Sequence, residues 1–177
     1  MKPRGPLMIE HRLIERMLKI VQVKIAAMRE SGKADPVFID TVVDFVRTYA
    51  DRTHHGKEED ILFKLLAEKP MSETDRAIMR ELLDEHVFGR NIVKALVAAK
   101  DDYLAGNGEA VAVIVQQLET LAKFYPEHIK KEDKVFFPST EKLFSQEELD
   151  RLLRDFFEFD QRMIHEKYES VVAGLKE

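Results

Sequence analysis

Six side chains in two matched sets have the types and spacing to hold metal. The stretch His54-His55-Gly56-Lys57-Glu58-Glu59-Asp60-Ile61-Leu62-Phe63 recurs 74 positions on as His128-Ile129-Lys130-Lys131-Glu132-Asp133-Lys134-Val135-Phe136-Phe137. Each copy has a His followed four residues later by a Glu. On an α-helix such residues share one face, so each copy offers an imidazole nitrogen and a carboxylate oxygen to one point. Glu10-His11 and Glu85-His86 form a second matched pair, 75 positions apart. Two similar helical hairpins related by a pseudo-twofold axis would bring His11, His54, His86 and His128 together with Glu58 and Glu132. One buried His–Glu pair is an ordinary core feature. Six such groups buried without a cation would leave polar atoms unpaired, at about 1 to 3 kcal/mol each. The pattern therefore reads as a metal site, large enough for two ions.

Five helices must position these groups. Residues 1–6, with two prolines and a glycine, read as an extended lead-in, residues 7–143 as a four-helix bundle, and residues 144–177 as an appended helix packing on it. Helix one, about Leu7 to Glu30, puts His11 on a stripe with Ile14, Leu18, Val21, Ile25 and Met28, and Ser31-Gly32 ends it. Helix two starts at the Asp35-Pro36 cap and stops before Pro70, with Val43, Val46, Ala50, His54, Glu58, Ile61 and Leu65 facing inward. Gly56 inside it predicts a bend or a close approach. Helix three begins at the Ser72 cap and carries Leu82, His86, Val93 and Val97. Helix four starts near Glu109 and carries Ile114, Leu118, Leu121, Phe124, His128, Glu132 and Val135, with a kink expected at Pro126. Helix five follows the Ser145/Glu148 capping box and runs towards Leu175, using Leu149, Leu152, Leu153, Phe156 and Phe157 to pack. The short connections favour antiparallel neighbours, hence an all-α, up-down-up-down bundle whose six ligand-type groups share one layer near one end.

Composition removes other classes. With 45% hydrophobic and 34% charged residues the chain can build and cover a core, and a net charge of −5 spread along the sequence offers no nucleic-acid patch. No apolar run approaches the roughly 18 residues of a membrane span, and no signal-peptide pattern is present. A cytoplasmic location is the expectation. Without Cys there is no disulfide, thiolate site or Cys nucleophile.

Over roughly residues 7 to 140 these motifs resemble the haemerythrin-like HHE cation-binding domains, on Glu10-His11, His54-x-x-Lys57-Glu58-Glu59-Asp60, Glu85-His86 and His128-x-x-Lys131-Glu132-Asp133. The resemblance implies two iron ions bridged by two carboxylates and an oxo or hydroxo group, with His11, His54, Glu58, His86, His128 and Glu132 as ligands. Nitrogen and oxygen donors also suit zinc or manganese. One departure stands out: the oxygen carriers of that family have a second His four residues after the helix-three His, and this chain has Arg90, which cannot ligate. His55 is the first candidate for an additional ligand, ahead of Tyr125, Glu15 and His165; the alternative is an open coordination position. Glu10 and Glu85 are expected on the helix flanks, with acceptance of an imidazole N–H as their functional alternative. Lys57 and Lys131 read as solvated.

The resemblance implies a protein that binds O2 or a related small diatomic, as carrier or sensor. Two alternatives carry the same centre: an enzyme reducing peroxide or nitric oxide, and an iron-binding or storage protein. A histidine-rich donor set disfavours highly oxidised iron and so favours reversible binding. No nucleic-acid or membrane partner is expected, and an apolar patch on helix five points to a homodimer contact.

Overall fold

The computed structural model describes residues 2–174, with side chains to 169. Five helices form an antiparallel up-down-up-down bundle with one helix added: α1 (Arg4–Ser31), α2 (36–67), α3 (Glu73–Leu104), α4 (110–140) and α5 (Gln146–Gly174). The lead-in expected at 1–6 is helical from Arg4, because Gly5 and Pro6 fall in a first turn whose N–H groups need no helical partner. The expected end of α5 near Leu175 lies outside the described residues.

The chain's local chemistry fixes the helix ends. Gly32, at φ 66°, takes the left-handed conformation that closes α1 and donates its N–H to Met28 O at 2.9 Å. Asp35 accepts from Phe38 N at 3.1 Å with Pro36 in the first turn of α2. Ser72 accepts from Asp75 N at 3.0 Å, and Ser145 and Glu148 bond reciprocally at 3.3 and 2.8 Å.

Two of the helices depart from α geometry where the repeat lies. α2 is π-helical at Val46–His55 and Glu58–Leu62, and α4 at Glu132–Phe136. Pro126 lies inside the helical run of α4, which widens to π geometry at Glu132. A π turn accommodates an extra residue, so the inward face moves on by one. After Glu58 the buried residues are Leu62, Phe63 and Leu66, whereas Leu65, expected inside, is 36% exposed. After Glu132 they are Phe136 and Phe137, and Val135, also expected inside, is 49% exposed. The same correction in both copies has the same cause.

The interior is divided. One apolar cluster, with Ile14, Leu18, Val21, Ile39, Leu96 and Leu118, fills the bundle on one side of the histidine layer. A second, with Leu7, Leu66, Leu82, Phe136, Phe144 and Phe156, fills the other. α5 lies along α2, burying Leu152, Phe156 and Phe159 while Phe157, expected to pack, is 52% exposed. Gly56 permits that approach: a Cβ there would stand 2.7 Å from Phe159 Cζ.

Candidate metal centre

His11 of α1, His54, His55 and Glu58 of α2, His86 of α3, and His128 and Glu132 of α4 are all at most 2% exposed. Their donor atoms fall into two groups, each gathered within 4.8 Å: His55, His86 and His128; and His11, His54, Glu58 and Glu132. The six residues singled out by the repeat therefore meet, and His55 stands with His86 and His128. Its ring stacks on that of His86 at a centroid distance of 3.8 Å. His165 is exposed on α5, far from that role. Tyr125 is buried beside the histidines, with its ring 6.3 Å from that of His55.

The two carboxylates connect the groups. Glu58 points Oε1 at His54 Nε2 (3.6 Å) and Oε2 at His86 Nε2 (3.5 Å). Glu132 points Oε2 at His11 Nε2 (3.1 Å) and Oε1 at His128 Nε2 (3.4 Å). Each thus presents one oxygen to each side.

Around this layer lies a ring of acceptors that turns every imidazole the same way. The Nδ1–H groups of His54 and His128 donate to Glu10 and Glu85, both at 2.8 Å. Those of His11 and His86 donate to Asp133 (2.8 Å) and Glu59 (2.7 Å). His55 donates more loosely to Asp51, at 3.4 Å. With Nδ1 occupied by a carboxylate, each Nε2 is aimed inward, the orientation a metal ligand needs. Glu10 and Glu85 are the acceptors that the sequence analysis names. Asp133 and Glu59 escaped the sequence reading although they are themselves a matched pair of the repeat, 74 positions apart. Asp51 had a weaker signal, four residues before His55.

A layer of cations supports the acceptors. Arg12 bonds Asp133, and Arg90, at the position where a ligand was missing, bonds Asp51 (Nε, 2.8 Å) and Glu59 (Nη2, 2.6 Å). Lys131 reaches Glu85 and Glu81 at 2.5 Å each. Lys57, expected in solvent, is 0% exposed and bonds Glu10 and Asp160, the latter at 2.6 Å. The repeat itself was the overlooked signal, since Lys57 and Lys131 hold the same place in both copies.

The protonation state of the layer shows what it lacks. Burial, reinforced by the Glu132 charge, pushes Glu58 well above the usual carboxylate range. Burial and neighbouring histidines hold His54 and His55 well below the ordinary imidazole value. Against burial, the carboxylates of Asp133, which accepts from Nδ1, and Glu132, whose charge lies beside Nε2, raise His11 to about 9. Its ring keeps a proton at the 2.8 Å contact between His11 Nε2 and His54 Nε2, so one proton supplies positive charge where two lone pairs would otherwise repel. His55 Nε2, His86 Nε2, His128 Nε2 and all four oxygens of Glu58 and Glu132 have no hydrogen-bond partner among the described residues. Seven orphaned inward atoms, all nitrogen or carboxylate oxygen, are a donor set that fits divalent metal, with iron, zinc and manganese all of suitable type.

A comparison with curated proteins and with solved structures finds no match. The profile of the Hemerythrin HHE cation binding domain family matches residues 6–140, which span the four bundle helices and all seven of these side chains. The chain belongs to the hemerythrin HHE cation-binding domain family.

Proposed function

We propose that the seven side chains hold two iron ions and that the protein binds O2 or a related small diatomic there, as a carrier or sensor. The observation that carries this reading is the sharing of Glu58 and Glu132, each with one oxygen towards each histidine group. Two irons supply the electrons that reversible O2 binding requires. The protein's part is positioning and exclusion. Five Nδ1–carboxylate bonds aim the imidazole Nε2 atoms inward, and the rings of Phe63, Phe124 and Phe137, 5.5 to 6.1 Å from histidine rings, cover the layer on its apolar sides. Loading must displace the proton held at His11, so metal uptake weakens as pH falls.

His55 bears on the alternatives. Peroxide or nitric oxide reduction drew support from a ligand missing at Arg90, and a buried histidine beside His86 weakens that support. Iron storage calls for a path to many ions, whereas the donors here are used up by two. In the same reading the protein is cytoplasmic, consistent with no described helix being long and apolar enough to cross a membrane. A homodimer contact through α5 would use Phe157, Ile164 and Tyr168, its exposed apolar side chains.

Anaerobic loading with ferrous iron should give two irons per chain, and admitting air should develop oxo-bridged di-iron absorption bands that change again when O2 is withdrawn. One iron per chain, or a spectrum indifferent to air, overturns the reading. Continuous consumption of peroxide or nitric oxide would favour the enzyme instead.

A further inference from the structure

A cavity of about 330 Å3 opens between α2 and α3 and reaches the rings of His55 and His86. Four cationic residues line it, Arg47 and Arg52 from α2 and Arg90 and Lys94 from α3, against a single carboxylate, Asp51. Asp51 is already engaged by Arg90 and His55, and Arg52 is bonded to Glu166 at 3.1 Å. Arg47 and Lys94 form no ion pair among the described residues. The wall therefore carries unbalanced positive charge beside a buried centre.

Tyr125 adds a second, independent feature. It is 2% exposed, lines the cavity, and its hydroxyl makes no hydrogen bond among the described residues. Burial raises its pKa well above the ordinary phenol value, so the hydroxyl stays a donor. A Cβ on Gly89, which lines the same cavity, would stand 3.7 Å from Tyr125 Oη; the absent side chain is what leaves the hydroxyl facing open space. Within this buried residue the hydroxyl is the part that reaches the cavity, so its unused donor points where an acceptor can enter.

We propose that this cavity binds a small anion of the size of nitrite, azide or formate, held by Tyr125, Arg90, Arg47 and Lys94 against the His55–His86 side of the centre. Arg90 is fixed by two carboxylates through Nε and Nη2, which leaves its Nη1 to donate. Arg47 and Lys94 at the rim draw the anion in, an attraction that salt screens. The anion's access to metal rests on the dinuclear reading, and two divalent ions against two carboxylates would add to the attraction. The cavity's own donors do not depend on it.

The test uses the full chain in metal-free and zinc-loaded forms. Crystals soaked in bromide should show an anomalous peak within about 3.5 Å of Tyr125 Oη and Arg90 in both forms. Gly89→Leu, which fills the cavity, should abolish it. Azide titrated into the zinc-loaded protein by calorimetry should bind about tenfold more weakly to Tyr125→Phe, the loss expected for one hydrogen bond. The Arg47→Ala/Lys94→Ala double variant should lose a similar factor at low salt and much less at 0.5 M, roughly where screening is strong. No bromide peak in either form, or azide affinity unchanged in all three variants, overturns the inference. Two metals per chain without the peak refutes this site alone; the peak without two metals refutes the dinuclear reading alone.

Discussion

Residues 54–63 and 128–137 serve their histidines alike: Glu10 holds His54 as Glu85 holds His128, while Asp133 and Glu59 hold His11 and His86 across the pseudo-twofold axis. The copies then part at three consecutive positions. Where the first has His55, the second has Ile129, equally buried. Where the first has Gly56 against Phe159, the second has exposed Lys130. Lys57 is sealed between Glu10 and Asp160, while Lys131 stays 22% exposed between Glu81 and Glu85. Two of these differences have one cause, since α5 covers the first copy and requires a residue without a side chain at 56. The third makes the two donor groups unequal, with three imidazoles in one and two in the other.

The largest test of the comparison is to erase it at the site. His55→Ile makes the first copy like the second and should cut zinc or iron from two ions per chain to one, read by elemental analysis on folded protein. Two ions retained would mean that His55 only packs. Next comes the lysine pair. Lys57→Met leaves Glu10 and Asp160 facing each other without a cation and should cost about 3 kcal/mol in urea denaturation, since removing one partner strands buried charge. Lys131→Met, at a partly solvated bridge, should cost less than about 1 kcal/mol. Equal losses would break the asymmetry. Gly56→Ala gains about 1 kcal/mol of helix propensity but must push the Phe159 ring aside, an overpacking cost of about 1 to 3 kcal/mol. The net should be a small destabilisation, against no measurable effect from Lys130→Ala.

The smallest effect concerns protonation. Burial raises the Glu10 carboxyl above 4.5 despite Lys57, whereas the hydrogen bonds of His128 and Lys131 overcome burial at Glu85 and lower it. In the metal-free protein Glu10 should therefore take its proton first as pH falls, as seen by carboxyl-carbon NMR. The stability consequences have opposite sign. Stability falls as pH rises from 4.5 through the raised value of Glu10, and it falls as pH drops from 4.5 through the lowered value of Glu85. The reverse order of protonation would refute this account.

Much of the architecture is visible in the sequence because its signals are local. The Asp35-Pro36 and Ser145/Glu148 caps act within one turn, and the α1 stripe from His11 to Met28 obeys simple helical spacing. The four histidines and two glutamates are visible because the repeat prints them twice. What stayed hidden depends on partners distant in sequence. Lys57 is buried only because Asp160, 103 residues away, arrives on α5. Val135 and Leu65 turn outward only because the π segments at Glu132–Phe136 and Glu58–Leu62 add a residue to the turn, which a fixed 3.6-residue period cannot register. His55 could be nominated from sequence, but its place with His86 and His128 rests on the same widened backbone of α2.

The histidine layer also partitions the molecule's cooperativity. It separates a larger apolar compartment, from Ile14 to Ile129, from a smaller one built on Leu7, Leu62, Leu82, Phe136 and Phe156. Without cations the boundary between them is a sheet of mutually repelling and unsatisfied atoms, so the smaller compartment should open as its own unit in hydrogen exchange, ahead of global unfolding. Metal then acts as a rivet between two folding units, and its loss would be felt first at the end of the bundle where α5 begins.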